Sequence, residues 1–281
     1  MPKVLISDKL SQNAVDVFAA HGVDADVKTG LSAEELQAII GAYDGLAIRS
    51  ATKVTEAVLA AADNLKVVGR AGIGVDNVDI AAATKRGVVV MNTPYGNAVT
   101  TAEHAIAMML ALARQIPQAS QSTKAGKWEK SRFMGTELTG KCLGLVGCGN
   151  IGSIVADRAQ GLRMRVVGYD PYLSEENAKR MGVEKVDLDE LLRRADFISI
   201  HTPMTAATRN IIGADALNKT KQGVRIINCA RGGLVDELAL AAALQTGHVA
   251  GAALDVFMQE PATDNILFDF DAVGGTPQLR S

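Results

Sequence analysis

The sequence predicts an α/β protein built as two open domains, each a parallel β-sheet covered by helices. Three observations predict it. Short β-branched runs alternate with helical patterns along the whole chain. Those runs are apolar at successive positions, as in parallel strands that are buried on both faces. A Pro/Gly-rich turn before a long apolar helix then divides the series near residue 97.

In chain order, the first strand runs are KVLIS (3–7), GLAIRS (45–50), LKVVGRAG (65–72) and GVVVMN (87–92). Helical stretches such as SAEELQAIIGA (32–42) and TEAVLAAA (55–62) separate them. TPYGNAVTTAEHAIAMMLALARQIPQA (93–119) is the turn and long helix that open the second half. That half repeats the scheme with KCLGLVG (141–147), RVVGYD (165–170), ADFISIHT (195–202), GVRIINCA (223–230) and AGAALDV (250–256). The expected division is residues 1–97 and residues 98–274, with the active site in the crevice between two open units. The polar segment AGKWEKSRFMGTELTGK (125–141) carries the single tryptophan. It reads equally as an excursion packing on another subunit and as an ordinary surface loop.

Composition narrows the function classes. The chain has 281 residues, 48% hydrophobic and 21% charged, with a net charge of −2. These values fit a soluble globular protein and give no electrostatic case for nucleic acid or an anionic membrane as partner. The first residues run straight into VLIS with no leader pattern. The apolar stretch AIAMMLALA (105–113) is too short to span a bilayer and reads as a buried helix. Cys142, Cys148 and Cys229 lack metal or redox spacing, so a reducing cytoplasm and no metal are expected.

Gly147, Gly149 and Gly152 stand in G-x-G-x-x-G spacing between a strand run and a helix start. The first glycine permits the tight turn, the second lets a pyrophosphate approach the backbone, and the third allows close helix–strand packing. The helix N-terminus offers amides to the anion. An acidic residue is then required at the end of the next strand, and Asp170 meets that demand. It would accept from ribose hydroxyls and repel a 2′-phosphate, so NAD is expected over NADP.

Ligands of open α/β sheets sit beyond the carboxyl ends of the strands, so polar residues there are the next candidates. In the first half these are Arg49, Ser50 and Arg70, with AGIG just after, a guanidinium and amide set suited to an anion. In the second half Arg231 follows GVRIINCA, Asp255 follows AGAAL, and Glu260 lies just beyond. An arginine, a carboxylate and a neighbouring dinucleotide suggest hydride chemistry on a carboxylate-bearing substrate. His201, which with Thr202 closes ADFISI, is the candidate base by spacing. A histidine before Thr-Pro is more often a packing or hydrogen-bonding residue. His21, His104 and His248 read as structural.

Together RSATKVT, VVGRAGIGVDNVD, MNTPYGN, KWEKSRFMGTEL, GYDP, NCARGGLVDE and GAALDVF resemble the D-isomer-specific 2-hydroxyacid dehydrogenase family along essentially the whole chain. The resemblance implies a flavodoxin-like substrate domain (1–97, with about 275–281 returning toward it) and a Rossmann NAD-binding domain (98–274). It also implies a homodimer or higher homo-oligomer and a small anionic 2-hydroxy acid as substrate. By the same resemblance Asn150 and Ile151 contact the pyrophosphate and Asp170 the adenosine ribose. Thr202, Cys229, Ala230 and Asp255 surround the cofactor. Arg231 is the catalytic arginine, and Glu260 is the carboxylate that orients a catalytic histidine. Arg49, Ser50 and Arg70 hold the substrate's anionic groups.

One position departs from the family. Its histidine lies in a Thr-Pro-His or Cys-Pro-His stretch after the last strand of the NAD domain, where this chain has Gln278 in GGTPQLRS. The family's continuation is also missing, so a C-terminally truncated member is expected. A glutamine amide donates hydrogen bonds but exchanges no proton near neutral pH. Glu260 is then expected to lack its partner, and catalysis to be weakened. A non-catalytic NAD(H)-binding protein of the same fold is the alternative, as is a dehydrogenase of another 2-hydroxy acid or of formate.

Overall fold

In a computed structural model, which describes residues 1–279, the apolar runs pair as parallel strands in two compact units, Met1–Asn97 and from Ala98 onward. The first unit runs β1 (Lys3–Ile6), α1 (Gln12–Ala20), β2 (Asp24–Val27), α2 (Ala33–Ile40), β3 (Gly45–Ile48), α3 (Glu56–Ala60), β4 (Val67–Arg70), α4 (Ile80–Lys85) and β5 (Val89–Asn92). Its sheet order is β2-β1-β3-β4-β5, all parallel. This is the flavodoxin-like order. Helix α2 opens with a capping box. The Ser32 hydroxyl accepts from the Glu35 amide, and the Glu35 carboxylate accepts from the Ser32 amide.

The faces of this sheet differ. Leu5, Leu46, Ile48 and Val68 point into a core closed by residues of α2, α3 and α4. Val4, Ile6 and Ala47 point the other way, where Val15 and Phe18 of α1 pack on them. Side chains alternate between faces along a strand. Val89 and Met91 of the edge strand β5 therefore share one face, opposite to Val90, and both are 56% exposed.

The second unit runs α5 (Ala98–Arg114), α6 (Ile116–Lys124), β6 (Cys142–Val146), α7 (Asn150–Gly161), β7 (Arg165–Tyr169), α8 (Glu175–Met181), β8 (Glu184–Lys185), α9 (Leu188–Arg194), β9 (Phe197–Ile200), α10 (Ala214–Asn218), β10 (Val224–Asn228), α11 (Glu237–Gln245) and β11 (Val249–Leu254). A short 3₁₀ turn (Ile266–Asp269) and β12 (Val273–Gly275) follow. The sheet order is β12-β11-β10-β9-β6-β7-β8, again all parallel. From β8 to β11 this is the doubly wound dinucleotide-binding order, which reverses direction between β6 and β9. Both sheet faces are covered by apolar cores, so β6, β9 and most of β10 and β11 are buried throughout. Among the described residues no helix is long and apolar enough to cross a membrane.

The expected return of residues 275–281 falls partly on residues 280 and 281, which lie outside the described residues. The part that is described pairs within the second unit, where β12 adds to β11 through Ala252↔Val273 and Leu254↔Gly275.

Candidate active site

The glycine loop sits at the point where the strand order reverses. Strand β6 ends at Val146, and the φ of +98° at the next residue, Gly147, is open to glycine and strained for other residues. The end of β9 passes so close that a Cβ here would lie 2.7 Å from the His201 carbonyl. A Cβ on Gly152 would overlap the Gly147 carbonyl oxygen, so α7 packs directly on the loop. Gly149 differs: it caps α7, and a Cβ there would meet nothing within 4 Å. The loop therefore presents bare backbone and an uncapped helix start to whatever lies beyond it.

Asp170 is fixed beside this loop. One carboxylate oxygen accepts from the Cys148 amide at 2.9 Å, the other from the Tyr172 amide at 2.8 Å. Burial, reinforced by the Asp170 charge, pushes the Cys148 thiol up to about 12. It therefore stays neutral beside an incoming phosphate. Open space at Gly149, amides at α7 and a pre-oriented carboxylate fit a dinucleotide.

The ends of β9, β10 and β11 hold the second group. Asn228, buried in β10, donates to the Arg231 carbonyl at 2.9 Å and accepts from the Ala230 amide at 3.0 Å. It fixes the turn through Cys229, Ala230 and Arg231. The Arg231 guanidinium donates to the Ala230 carbonyl at 2.8 Å. The next strand end is tied to the same residue, with the Asp255 amide donating to the Asn228 carbonyl at 3.0 Å.

Asp255 is fully buried. Its Oδ1 accepts from the Thr276 hydroxyl at 2.6 Å and the Leu279 amide at 2.8 Å, and lies 3.2 Å from His104 Nε2. Its carbonyl accepts from the Gln278 amide at 3.1 Å. Glu260 accepts from the Phe257 amide at 3.0 Å through one oxygen and from the Gln278 side-chain amide through the other. The expectation that Glu260 lacks a partner is thereby corrected. Gln278 reaches it, because the preceding turn is pinned on Asp255.

His201 does not suit the role of base. Its Nε2 is bonded to the Ser199 hydroxyl at 2.8 Å, while Nδ1 is shielded from solvent with no partner. Burial pushes the imidazole down to about 4, so it is neutral at pH 7. The unfolded chain, with its histidine near 6.5, binds a proton in the window from 6.5 to 4 that the folded state refuses. Stability attributable to His201 is therefore complete above pH 6.5 and declines as pH falls through 4, by roughly 3 kcal/mol in all. Denaturant melts across this window should show a shallower pH slope for His201→Gln. An unchanged slope would mean that the ring titrates freely.

Within the first unit the structure brings Arg49, Ser50 and Arg70 together. The buried Asp8 carboxylate accepts from the Arg49 amide at 2.6 Å and from the Thr52 hydroxyl at 2.8 Å. Arg70 Nε donates to the Arg49 carbonyl at 3.1 Å, and Asn77 donates to the same carbonyl at 2.8 Å. Arg49 is exposed, while Arg70 is buried, with 9% exposure, and lies 3.8 Å from Asp76. Sequence reasoning passed over Asp8, Asn77, Asn228 and Thr276, and read His104 as structural. Asp8, Asn77 and Asn228 act on backbone near strand or helix ends, while His104 and Thr276 meet the Asp255 carboxylate through packing, so none leaves a spacing pattern to read.

Known proteins share this arrangement. The D-isomer specific 2-hydroxyacid dehydrogenase NAD binding domain matches residues 106–279. A D-3-phosphoglycerate dehydrogenase from Archaeoglobus fulgidus is 50% identical over 280 residues, which is 99% of this chain and 53% of that protein. One from Synechocystis is 50% identical over 279 residues, 99% of this chain and 50% of the relative. The chain thus spans about half the length of these relatives. Among solved structures, a glyoxylate reductase from Paecilomyes thermophila superposes with a TM-score of 0.91 at 30% identity, covering 99% of this chain and 88% of that one. A D-lactate dehydrogenase from Aquifex aeolicus, complexed with NAD and lactic acid, gives 0.87 at 28% identity with the same coverage. With the glycine loop, Asp170 and the Arg231 turn on a sheet of the doubly wound order, this chain belongs to the D-isomer specific 2-hydroxyacid dehydrogenase family.

Proposed function

We propose that the protein binds NAD(H) and interconverts D-3-phosphoglycerate and 3-phosphohydroxypyruvate, the first step of serine biosynthesis. The observation that carries this reading is Asp170, locked by two main-chain amides beside an open glycine loop, at the same edge of the sheet as the Arg231 turn. The half-length matches to D-3-phosphoglycerate dehydrogenases support the substrate. When bound, the cofactor supplies or takes up the hydride. Gly147, Gly149, Asn150, Ile151 and Gly152 receive its pyrophosphate, and Thr202, Cys229, Ala230 and Asp255 flank it. Arg231 orients the 2-keto acid through a bidentate contact and polarises its carbonyl. Arg49, Ser50 and Arg70 bind the carboxylate and phosphate. Glu260 holds the Gln278 amide, which donates a hydrogen bond but moves no proton, so turnover is slow. A homo-oligomer in the cytoplasm fits this reading, with exposed Trp128 and Met134 available for a subunit contact.

The second reading, an NAD(H)-binding protein without turnover, is favoured by the same Gln278–Glu260 contact. The two are separated by assaying NADH oxidation with 3-phosphohydroxypyruvate. Both readings share one prediction. NADH should bind at least about tenfold more tightly than NADPH, since like charges brought together in a desolvated site cost several kcal/mol. Asp170→Ser should narrow that gap, and equal affinities in the unmodified protein would remove Asp170 from the cofactor site.

A further inference from the structure

His104 stands on α5, a helix of otherwise small and apolar inward-facing residues, and its side chain is 17% exposed. Its Nε2 lies 3.2 Å from both Asp255 Oδ1 and the Thr276 hydroxyl, and Nδ1 makes no hydrogen bond among the described residues. A carboxylate-anchored imidazole with one nitrogen free can take up a proton without breaking its anchor. Histidine is the side chain that ordinarily changes charge between about pH 5 and 8.

The sheet order says what this pair faces. Asp170 ends β7 and the glycine loop ends β6, so the adenosine half of a bound dinucleotide occupies that side. The remaining direction along the carboxyl edge passes β9 and β10 to β11, where Asp255 stands. Three strand steps of ~4.8 Å, roughly 14 Å, separate the loop from Asp255. The nicotinamide half lies on this side. Its ring is cationic when oxidised and neutral when reduced.

We propose that His104 and Asp255 form a charge pair that sets the preference between NAD⁺ and NADH and makes it depend on pH. This rests on the dinucleotide-binding reading above. With His104 neutral the pair carries one negative charge and favours the cationic ring. With His104 protonated the pair is neutral and that advantage is lost. Of the elements packed on α5, namely α6, α7, β10, β11 and β12, the charged group paired with His104 among the described residues is Asp255, at the end of β11. Its neighbour Glu103 is exposed, and Glu260 is held by Phe257 and Gln278.

The test is calorimetric titration of the unmodified protein with NAD⁺ and with NADH at about pH 5.5 and about pH 8, on either side of the imidazole range. The ratio of the two affinities cancels everything the cofactor forms share. It should move toward NAD⁺ by about fivefold or more at the higher pH. In His104→Asn, which keeps a donor for Asp255, the ratio should not move. A pH-independent ratio in the unmodified protein, or a shift that survives His104→Asn, overturns the inference and leaves dinucleotide binding standing. Absence of binding of either form at both pH values would overturn the functional reading itself, and the inference with it.

Discussion

Gln278→His is expected to raise the rate of NADH oxidation with 3-phosphohydroxypyruvate by about 10²- to 10⁴-fold, the usual worth of a positioned acid–base group. The contacts around position 278 support that expectation. The Gln278 amide is bonded to the Asp255 carbonyl, the Leu279 amide and Thr276 hydroxyl to the Asp255 carboxylate, and the Gln278 side chain already reaches Glu260. A ring placed there meets an orienting carboxylate on a pinned turn, and such placement matters because an error near 1 Å costs about 10²-fold. Glu260→Gln in the same background should cancel most of the gain. If Gln278→His leaves the rate unchanged while NADH still binds, the proton is carried elsewhere and Glu260 is a structural carboxylate.

Two of the loop glycines are expected to fail in opposite ways. In Gly152→Ala the new methyl overlaps the Gly147 carbonyl oxygen, which belongs to backbone and cannot swing aside. Overpacking of this kind costs about 1–3 kcal/mol, and the displaced loop should weaken NADH by about tenfold to a hundredfold. In Gly149→Ala the methyl enters open space, so thermal stability should stay within about 1 kcal/mol of the parent. NADH affinity should still fall, because the methyl stands where the pyrophosphate approaches. Melting curves and NADH titrations on both variants decide the matter. Normal NADH binding by Gly149→Ala would place the phosphates away from this loop.

The buried parallel strands were legible because continuous apolar runs leave few alternatives. β1, β3, β4, β5, β6, β7, β9 and β10 all fall within the runs read from sequence, and β11 begins one residue before its run. What was missed lies at the margins. Strand β2 is Asp-Ala-Asp-Val, β8 is two charged residues and β12 is Val-Gly-Gly; all are edge strands with little apolar signal, held by their neighbours. Helix α1 buries no residue fully and so shows no strong stripe. In the site, glycine spacing and strand-end arginines could be read from the chain because turn chemistry and sheet topology dictate them. The Asp255 network could not, because its members His104, Asp255 and Thr276 are up to 172 residues apart and meet through packing alone.

The open β5 edge of the first sheet bears on how the protein is made. All five of its strands have been synthesised by Asn92, before β6, the earliest strand of the second sheet, exists. At ~5–20 residues per second the ribosome needs roughly 10–40 s to add residues 98–281. From then on Val89 and Met91, which stay 56% exposed, form a greasy strip on a strand with one unpaired edge, open to any extended peptide that drifts past. The nascent chain is therefore able to stick to such a peptide from the moment its first sheet is complete, while the second is still being made.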